Sequence, residues 1–424
     1  MPELKFIFLA AYAAVMLFEY SLKLMNLRHL KQRGGSVPPE FEGEIDGALL
    51  AKTRDYTVER SRFGFIESIF DSLLIIIFIF GGILDRYTTW VHSFDLPFIV
   101  AGLVFFLVLS AASTIVSIPF SLYADFKIEN KYGFNTMTWK LWITDFIKSL
   151  LISAVLTGII GSASLALVQA SPDFWWLFVW LFALLFGIFI MYISPYVIEP
   201  LFNKYVPVTE EGLEEGIRKL MEKAGMKVSK VLVVDASKRS RHTNAYFTGI
   251  GRVKRIVLYD TLIASMDRDE ILAVLAHEAG HWKKKHIFKR IVAMEALLLA
   301  GIFIAHRVLC SELLLSVFDI ETSSFFANVL LLGFAGSLVL FPLTPLSSFL
   351  SRRHEREADS YACGLIARPE NLASALVKLS RDNLANLHPH PFFAAFYYSH
   401  PPILQRIRRI RGSGEEKHSI GREY

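Results

Sequence analysis

Cysteine is nearly absent, with two residues in a chain of 424, which excludes a disulfide framework. Charge is scarce too: 20% of residues are Asp, Glu, Lys or Arg, against about 25% in a typical soluble domain. No solenoid-type repeat is visible. Disordered, collagenous and low-complexity classes are excluded as well, because so apolar a chain would not stay solvated. What is present is hydrophobic: 53% of the residues, 35 of them Phe, with a mean hydropathy of +0.41. The net charge of +5 raises a nucleic-acid partner only until the positions of the charges are read.

The charges lie between apolar runs. An uncharged stretch of about 18 residues or more crosses the roughly 30 Å hydrocarbon core as a helix. Leu96–Tyr123, Ser149–Ala170, Phe174–Ile198 and Phe325–Leu343 qualify, and Phe6–Met25, Phe63–Leu84 and Ile291–Leu309 do so with one or two charges each. Seven membrane helices are therefore expected. The first reads as an uncleaved span, because Ala11-Tyr12-Ala13 falls in the middle of its apolar run rather than after it. Lys and Arg crowd alternate loops: seven over 26–62, three over 124–141 and sixteen over 201–286. Short basic loops stay cytoplasmic, so the N-terminus is expected outside and the large fifth loop and the tail inside. The basic charge then serves topology and lipid headgroups, and no nucleic-acid partner is expected. Cys310 and Cys363 fall on opposite sides and should not pair. Glu67 and Asp71 in the second span and Glu295 in the sixth are expected to line a hydrated interior or to bond between helices.

Two regions follow: residues 1–202, five spans with short links, and residues 203–424, which carry the chemistry together with two more spans. Within the second, a helix is expected from near Thr209, a strand over Lys230–Asp235, and a hairpin of Ala245–Phe247 with Arg255–Tyr259 around Gly249 and Gly251. A further helix starts at Asp267, with Glu270 completing a capping box. The fold expected is an all-α polytopic membrane protein with a cytosolic α+β zincin-like metallopeptidase domain.

The helix after Asp267 contains His277-Glu278-Ala279-Gly280-His281. Residues four apart share a helix face, so both imidazoles reach one metal ion. Glu278 then lies beside the open position, where zinc would lower the pKa of a water to roughly 7. Gly280 costs about 1 kcal/mol relative to Ala in a helix, a cost that implies something needs the space. A catalytic zinc takes three protein ligands. Downstream, Glu355 and Asp359 are four apart on one face, with Glu357 opposite. Glu355 is expected as the third ligand and Asp359 as the acceptor that orients a ligand imidazole; a charged face at the membrane is the alternative reading of the segment. His354 and His286 compete for the ligand role, but His286 lies about 140° from His281 on an ideal helix and reads as an exposed membrane-surface residue.

H-E-x-x-H followed after one membrane hairpin by E-x-x-x-D resembles the type I CAAX prenyl proteases, integral-membrane zinc endopeptidases. Glu129–Asn135, His242–Phe247 and Ser399-His400-Pro401-Pro402 with Arg406 match three further signatures of that family. The resemblance implies a ring of seven helices around a water-filled chamber, with one zinc at its cytosolic side. It implies that Asn244, Ala245 and Tyr246 form an edge strand that a substrate backbone extends. It also implies that His400 and Arg406 contact the substrate or the oxyanion; taken residue by residue, both read as surface residues. The expected catalytic residues are thus Glu278, His400 and Arg406, and the expected ligands His277, His281 and Glu355.

The activity expected is hydrolysis of peptide bonds near the C-terminus of prenylated substrates. The partners expected are a peptide or protein, prenylated or not, and the bilayer of a bacterial inner membrane or endoplasmic reticulum, with the protein a monomer. Two alternatives stand beside it. One is a quality-control metalloprotease with no prenyl requirement. The other is a channel or transporter with a structural zinc, which would need a fourth protein ligand from Glu357, His354 or His286.

Overall fold

The computed structural model describes residues 2–249, 253–309, 311 and 313–420. Gly251 of the expected hairpin, Cys310 and the end of the Ser413–Tyr424 tail lie outside them. The first five long helices are α1 (Pro2–Arg33), α2 (Gly47–Ile75), α3 (Phe98–Tyr123), α4 (Trp139–Ala170) and α5 (Trp175–Val197). At about 1.5 Å per residue, the 32 residues of α4 exceed the bilayer core. Helix therefore continues into what the sequence marked as loop: α1 runs to Arg33, and α2 begins after the Asp46 N-cap, whose side chain accepts from the Leu49 N–H at 2.7 Å. α2 continues as π-helix to Phe80, and the chain breaks at Gly82, whose φ of 79° needs a glycine. The second span thus ends short of Leu84.

Among the described residues six helices are long and apolar enough to cross a membrane: Glu3–Arg33, Gly47–Phe80, Phe98–Tyr132, Trp139–Ala170, Trp175–Phe202 and Phe325–Leu365. Six of the seven expected spans lie in these helices. The seventh, Ile291–Leu309, is helical as expected, within α8 (His286–Leu309, following α6 and α7 below), and its charges are Glu295 and Arg307. It packs on α5, with Trp180 Nε1 donating to the Glu295 carbonyl at 3.2 Å.

The second region folds as α6 (Leu213–Lys223), a four-stranded sheet, α7 (Arg268–Lys283), α8, α9 (Phe325–Leu340), α10 (Thr344–Leu365), α11 (Glu370–Asp382) and α12 (Ile403–Ile420). The strands are β1 (Tyr205–Pro207), β2 (Lys227–Val234), β3 (Ala245–Thr248) and β4 (Val253–Tyr259), in the order β1-β2-β4-β3. β2 and β4 run parallel, and β1 and β3 close the two sides antiparallel. α6 starts four residues later than expected, because Gly212 takes φ 71° and the chain before it turns.

One core unites these pieces. Ile217 and Met221 of α6, Ile256 and Leu258 of β4, Ala273 and Ala276 of α7 and Ile407 of α12 are fully buried together. Phe41 and Ile45, from between α1 and α2, and Leu50, in the first turn of α2, join the same cluster. The N-terminal region therefore supplies part of the core that supports the second region's sheet. A second cluster, around Phe105, Phe318 and Phe326, packs α3, α9 and their neighbours.

Candidate active site

Two crossing helices carry the site. α7 begins with the expected capping box: the Asp267 side chain accepts from the Glu270 N–H, and the Glu270 side chain from the Asp267 N–H. Glu270 is buried and also takes Ser374 Oγ at 2.6 Å and Lys378 Nζ at 2.7 Å, which ties the start of α7 to α11. α10 crosses α7 at Gly280, where an added Cβ would stand 2.9 Å from the Ala358 Cα and 3.0 Å from its carbonyl oxygen. That close approach is what the glycine is for. It sets Glu355 and Asp359 of α10 against His277 and His281 of α7.

The geometry is compact. His277 Nε2 and His281 Nε2 lie 3.2 Å apart. Glu355 Oε2 is 3.3 Å from the first and Oε1 3.2 Å from the second. Glu355 is 5% exposed, and its Oε2 is buried without a hydrogen-bond donor. Lone-pair atoms converging on one point in a buried pocket repel unless a cation sits among them. These three residues are the group among the described residues that could hold a metal ion, and two imidazoles with a carboxylate leave room for a further position. Behind them, Asp359 Oδ1 lies 2.8 Å from His277 Nδ1. Arg406 grips Asp359 with two parallel bonds, Nη2 to Oδ1 at 2.6 Å and Nε to Oδ2 at 2.9 Å, the bidentate form in which such pairs are strongest. Glu278 follows His277 on α7 and is half-buried. Burial raises its carboxyl above the usual range, while His277 and His281 pull it down.

Two residue-level readings are corrected. Arg406, a surface residue by its own sequence context, is 8% exposed and committed to Asp359. His400, on the turn before α12, is exposed, with Nε2 3.4 Å from Glu355 Oε1 and Nδ1 2.9 Å from Ser399 Oγ. His286, read as an exposed surface residue, is 1% exposed. The reason is local: α7 stops, Lys285 takes a left-handed φ of 56°, and α8 restarts at His286, so the ideal-helix angle no longer applies. His354 does not reach the cluster; its ring stacks on His286 at 4.1 Å.

β3 lies at an open edge of the sheet and touches α7. The Tyr259 N–H donates to the Asn244 carbonyl, and Tyr246 faces Val257. By antiparallel alternation, Asn244 and Tyr246 spend their backbone groups on β4, while Ala245 and Phe247 point theirs outward. The Ala245 N–H is met by Asn244 Oδ1 at 2.8 Å. The Glu129–Asn135 signature packs against His242, in the segment that leads into β3. Phe134 stacks on His242 at 4.1 Å, and Glu129 Oε1 accepts from Tyr56 Oη at 2.8 Å while its Oε2 faces His242 Nε2 at 3.4 Å.

Residues 26–204 match the family model described as the CAAX prenyl protease N-terminal region with five membrane helices, and residues 207–413 match peptidase family M48. The chain belongs to the CAAX prenyl protease family of M48 peptidases. It is therefore a metalloprotease held in the membrane by several spans. The chain is 33% identical to CAAX prenyl protease 1 of Saccharomyces cerevisiae, over 94% of each chain. Its identity to the Arabidopsis thaliana homolog is 35%, over 95% of each. An uncharacterized metalloprotease of Bacillus subtilis is 30% identical over 85% of this chain and 84% of its own. Among solved structures, the crystal structure of S. mikatae Ste24p superposes with a TM-score of 0.89 at 31% identity, covering 96% of this chain and 98% of that one.

Proposed function

We propose that this M48 peptidase is a zinc endopeptidase that cleaves near the C-terminus of prenylated CAAX-type substrates, in the manner the names of its yeast and plant relatives describe. The observation that carries the reading is the convergence of His277, His281 and Glu355 beside Glu278 and below the open edge of β3. The chemistry of the set suits zinc, a borderline ion that takes two imidazoles and a carboxylate readily. Bound there, zinc would polarise the scissile carbonyl and acidify a water.

The chain's own groups do the rest. Ala245 and Phe247 offer backbone partners to an extended peptide. Glu278 takes the proton of the attacking water and returns it to the leaving amine, a general base and then a general acid. His400, exposed beside Glu355, donates to the oxyanion. Arg406 acts through Asp359, holding the carboxylate that fixes the His277 tautomer.

Residues 1–202 serve as the membrane region and 203–424 as the peptidase region. The active site faces the cytosol of a bacterial inner membrane or endoplasmic reticulum, and the protein works as a monomer. The spans surround a hydrated chamber. Supporting this, none of the most apolar window of the Trp175–Phe202 span is buried, whereas helices in a compact bundle bury a stripe.

The test is cleavage of a farnesylated C-terminal peptide against its unmodified twin by the purified, zinc-loaded protein. Faster cleavage of the farnesylated peptide supports the proposal. Equal rates would remove prenyl specificity and favour quality control, the reading for which the Bacillus subtilis relative leaves room. No cleavage of either, with zinc bound, would favour a structural metal.

A further inference from the structure

Each ligand imidazole points Nε2 at the metal position, so each has an Nδ1 left to be fixed. For His277 the partner is a carboxylate, Asp359. For His281 it is another imidazole: His281 Nδ1 lies 3.1 Å from His286 Nδ1, and His286 Nε2 lies 3.1 Å from Glu357 Oε2. We propose that His286 and Glu357 form a relay that holds His281 in its metal-binding tautomer and orientation, making both positioning residues for the metal site. The inference rests on the reading of His277, His281 and Glu355 as ligands.

The proton placement follows from the donor set. Two facing imidazole nitrogens need one N–H and one lone pair. His281 Nε2 must be bare to bind a metal, so its Nδ1 carries the proton and His286 Nδ1 accepts it. His286 then carries its own proton on Nε2, which is the atom that faces Glu357. Every hydrogen in the chain from metal to carboxylate has a single position.

The surroundings hold this order in place. His286 is 1% exposed. The His354 ring lies 4.1 Å from it at an interplanar angle of 13°, fixing the plane in which both nitrogens point. The left-handed turn at Lys285 brings the His286 ring back behind His281. Arg353 Nε holds Glu357 Oε1 at 3.1 Å from one turn back on α10. α10 thus reaches the metal site from two sides: Glu355 and Asp359 inward, and Glu357 around the back of His281. Nor can His286 close the metal as a fourth ligand, because it faces Nδ1 of His281 and not Nε2.

The test is zinc affinity by chelator competition on the full-length protein in detergent, with the absorption spectrum of the cobalt-substituted protein alongside. His286→Leu is expected to bind zinc about 10- to 100-fold more weakly, the usual cost of losing a ligand's outer partner, and to shift the cobalt bands. His286→Gln, whose amide can accept from His281 and donate to Glu357, is expected to recover most of the affinity. Glu357→Gln should weaken binding about tenfold. Wild-type affinity and an unshifted spectrum in His286→Leu overturn the relay. Should His286→Leu fail to fold, Glu357 is partly exposed and Glu357→Gln decides by the same two measurements. A wild-type protein that binds no zinc at all sinks the ligand assignment itself, a different result from wild-type binding that His286→Leu leaves untouched.

Discussion

Glu278 is a carboxylate in a place that does not favour its charge. Burial raises its pKa, and His277 and His281 only partly offset this. A carboxyl raised in the folded state costs stability above its unfolded pKa, where it must ionise in the fold. Without zinc, Glu278→Gln should therefore melt no lower than wild type at neutral pH; loaded with zinc, the variant should hold the metal while kcat falls by about 10²- to 10⁴-fold, and a fully active variant would sink the base role. His277 has the opposite sign. Burial lowers its pKa, but Asp359 and Glu355 outweigh that and raise it to about 9 in the metal-free protein. A histidine raised in the fold contributes stability below its unfolded pKa near 6.5, and that contribution is lost as pH rises through about 9. Without zinc, the melting difference between wild type and His277→Gln should shrink across that window. A difference that grows with pH would contradict the pairing. The ligand spacing was legible because i and i+4 share a face in any α-helix. His286 was not, because one left-handed residue, Lys285, cancels the helical extrapolation, and nothing in a Lys-Lys-Lys run announces that turn.

Among the elements, the crossing of α7 and α10 decides whether the ligands meet. Gly280→Ala would gain about 1 kcal/mol from helix propensity, yet its Cβ would stand within 3.0 Å of Ala358 backbone atoms. Overpacking of that kind costs about 1–3 kcal/mol and would push α10, with Glu355, away from the imidazoles. The variant should lose both melting temperature and zinc affinity, measured by calorimetry and chelator competition; a more stable variant with wild-type affinity would show that the contact does not set the site. The sequence marked Gly280 as costly, but the partner helix across it is visible only in three dimensions. The start of α7 was readable because a capping box is a local device of four residues. The start of α6 was misplaced, because the Glu-rich run before Gly212 has helical composition but a turn conformation. Arg406 stood out through the resemblance but not from its own context, for a related reason: in a run with Arg408, Arg409 and Arg411, only tertiary packing selects the one that faces Asp359.

At the scale of the whole molecule, the arithmetic of apolar runs finds the spans because the bilayer imposes a length on them. It says less about what they surround. Asp71 is exposed within the Gly47–Phe80 span, and Glu67, one turn away, is half-exposed. Facing lipid, two such carboxylates would cost several kcal/mol. The span persists, so they face water or protein, and exposure argues for water. A cysteine at position 71, in a protein with Cys310 and Cys363 replaced by serine, should therefore react with a membrane-impermeant maleimide in open membrane fragments. A cysteine at Lys52, exposed near the start of the same helix, gives the reference rate for full access. Labelling of the position-71 variant that is slowed when a bulky peptide occupies the site would tie the hydrated space to the catalytic end. No labelling at position 71 beside rapid labelling at position 52 would mean that the carboxylates are buried against protein, and that the helices close up without a chamber.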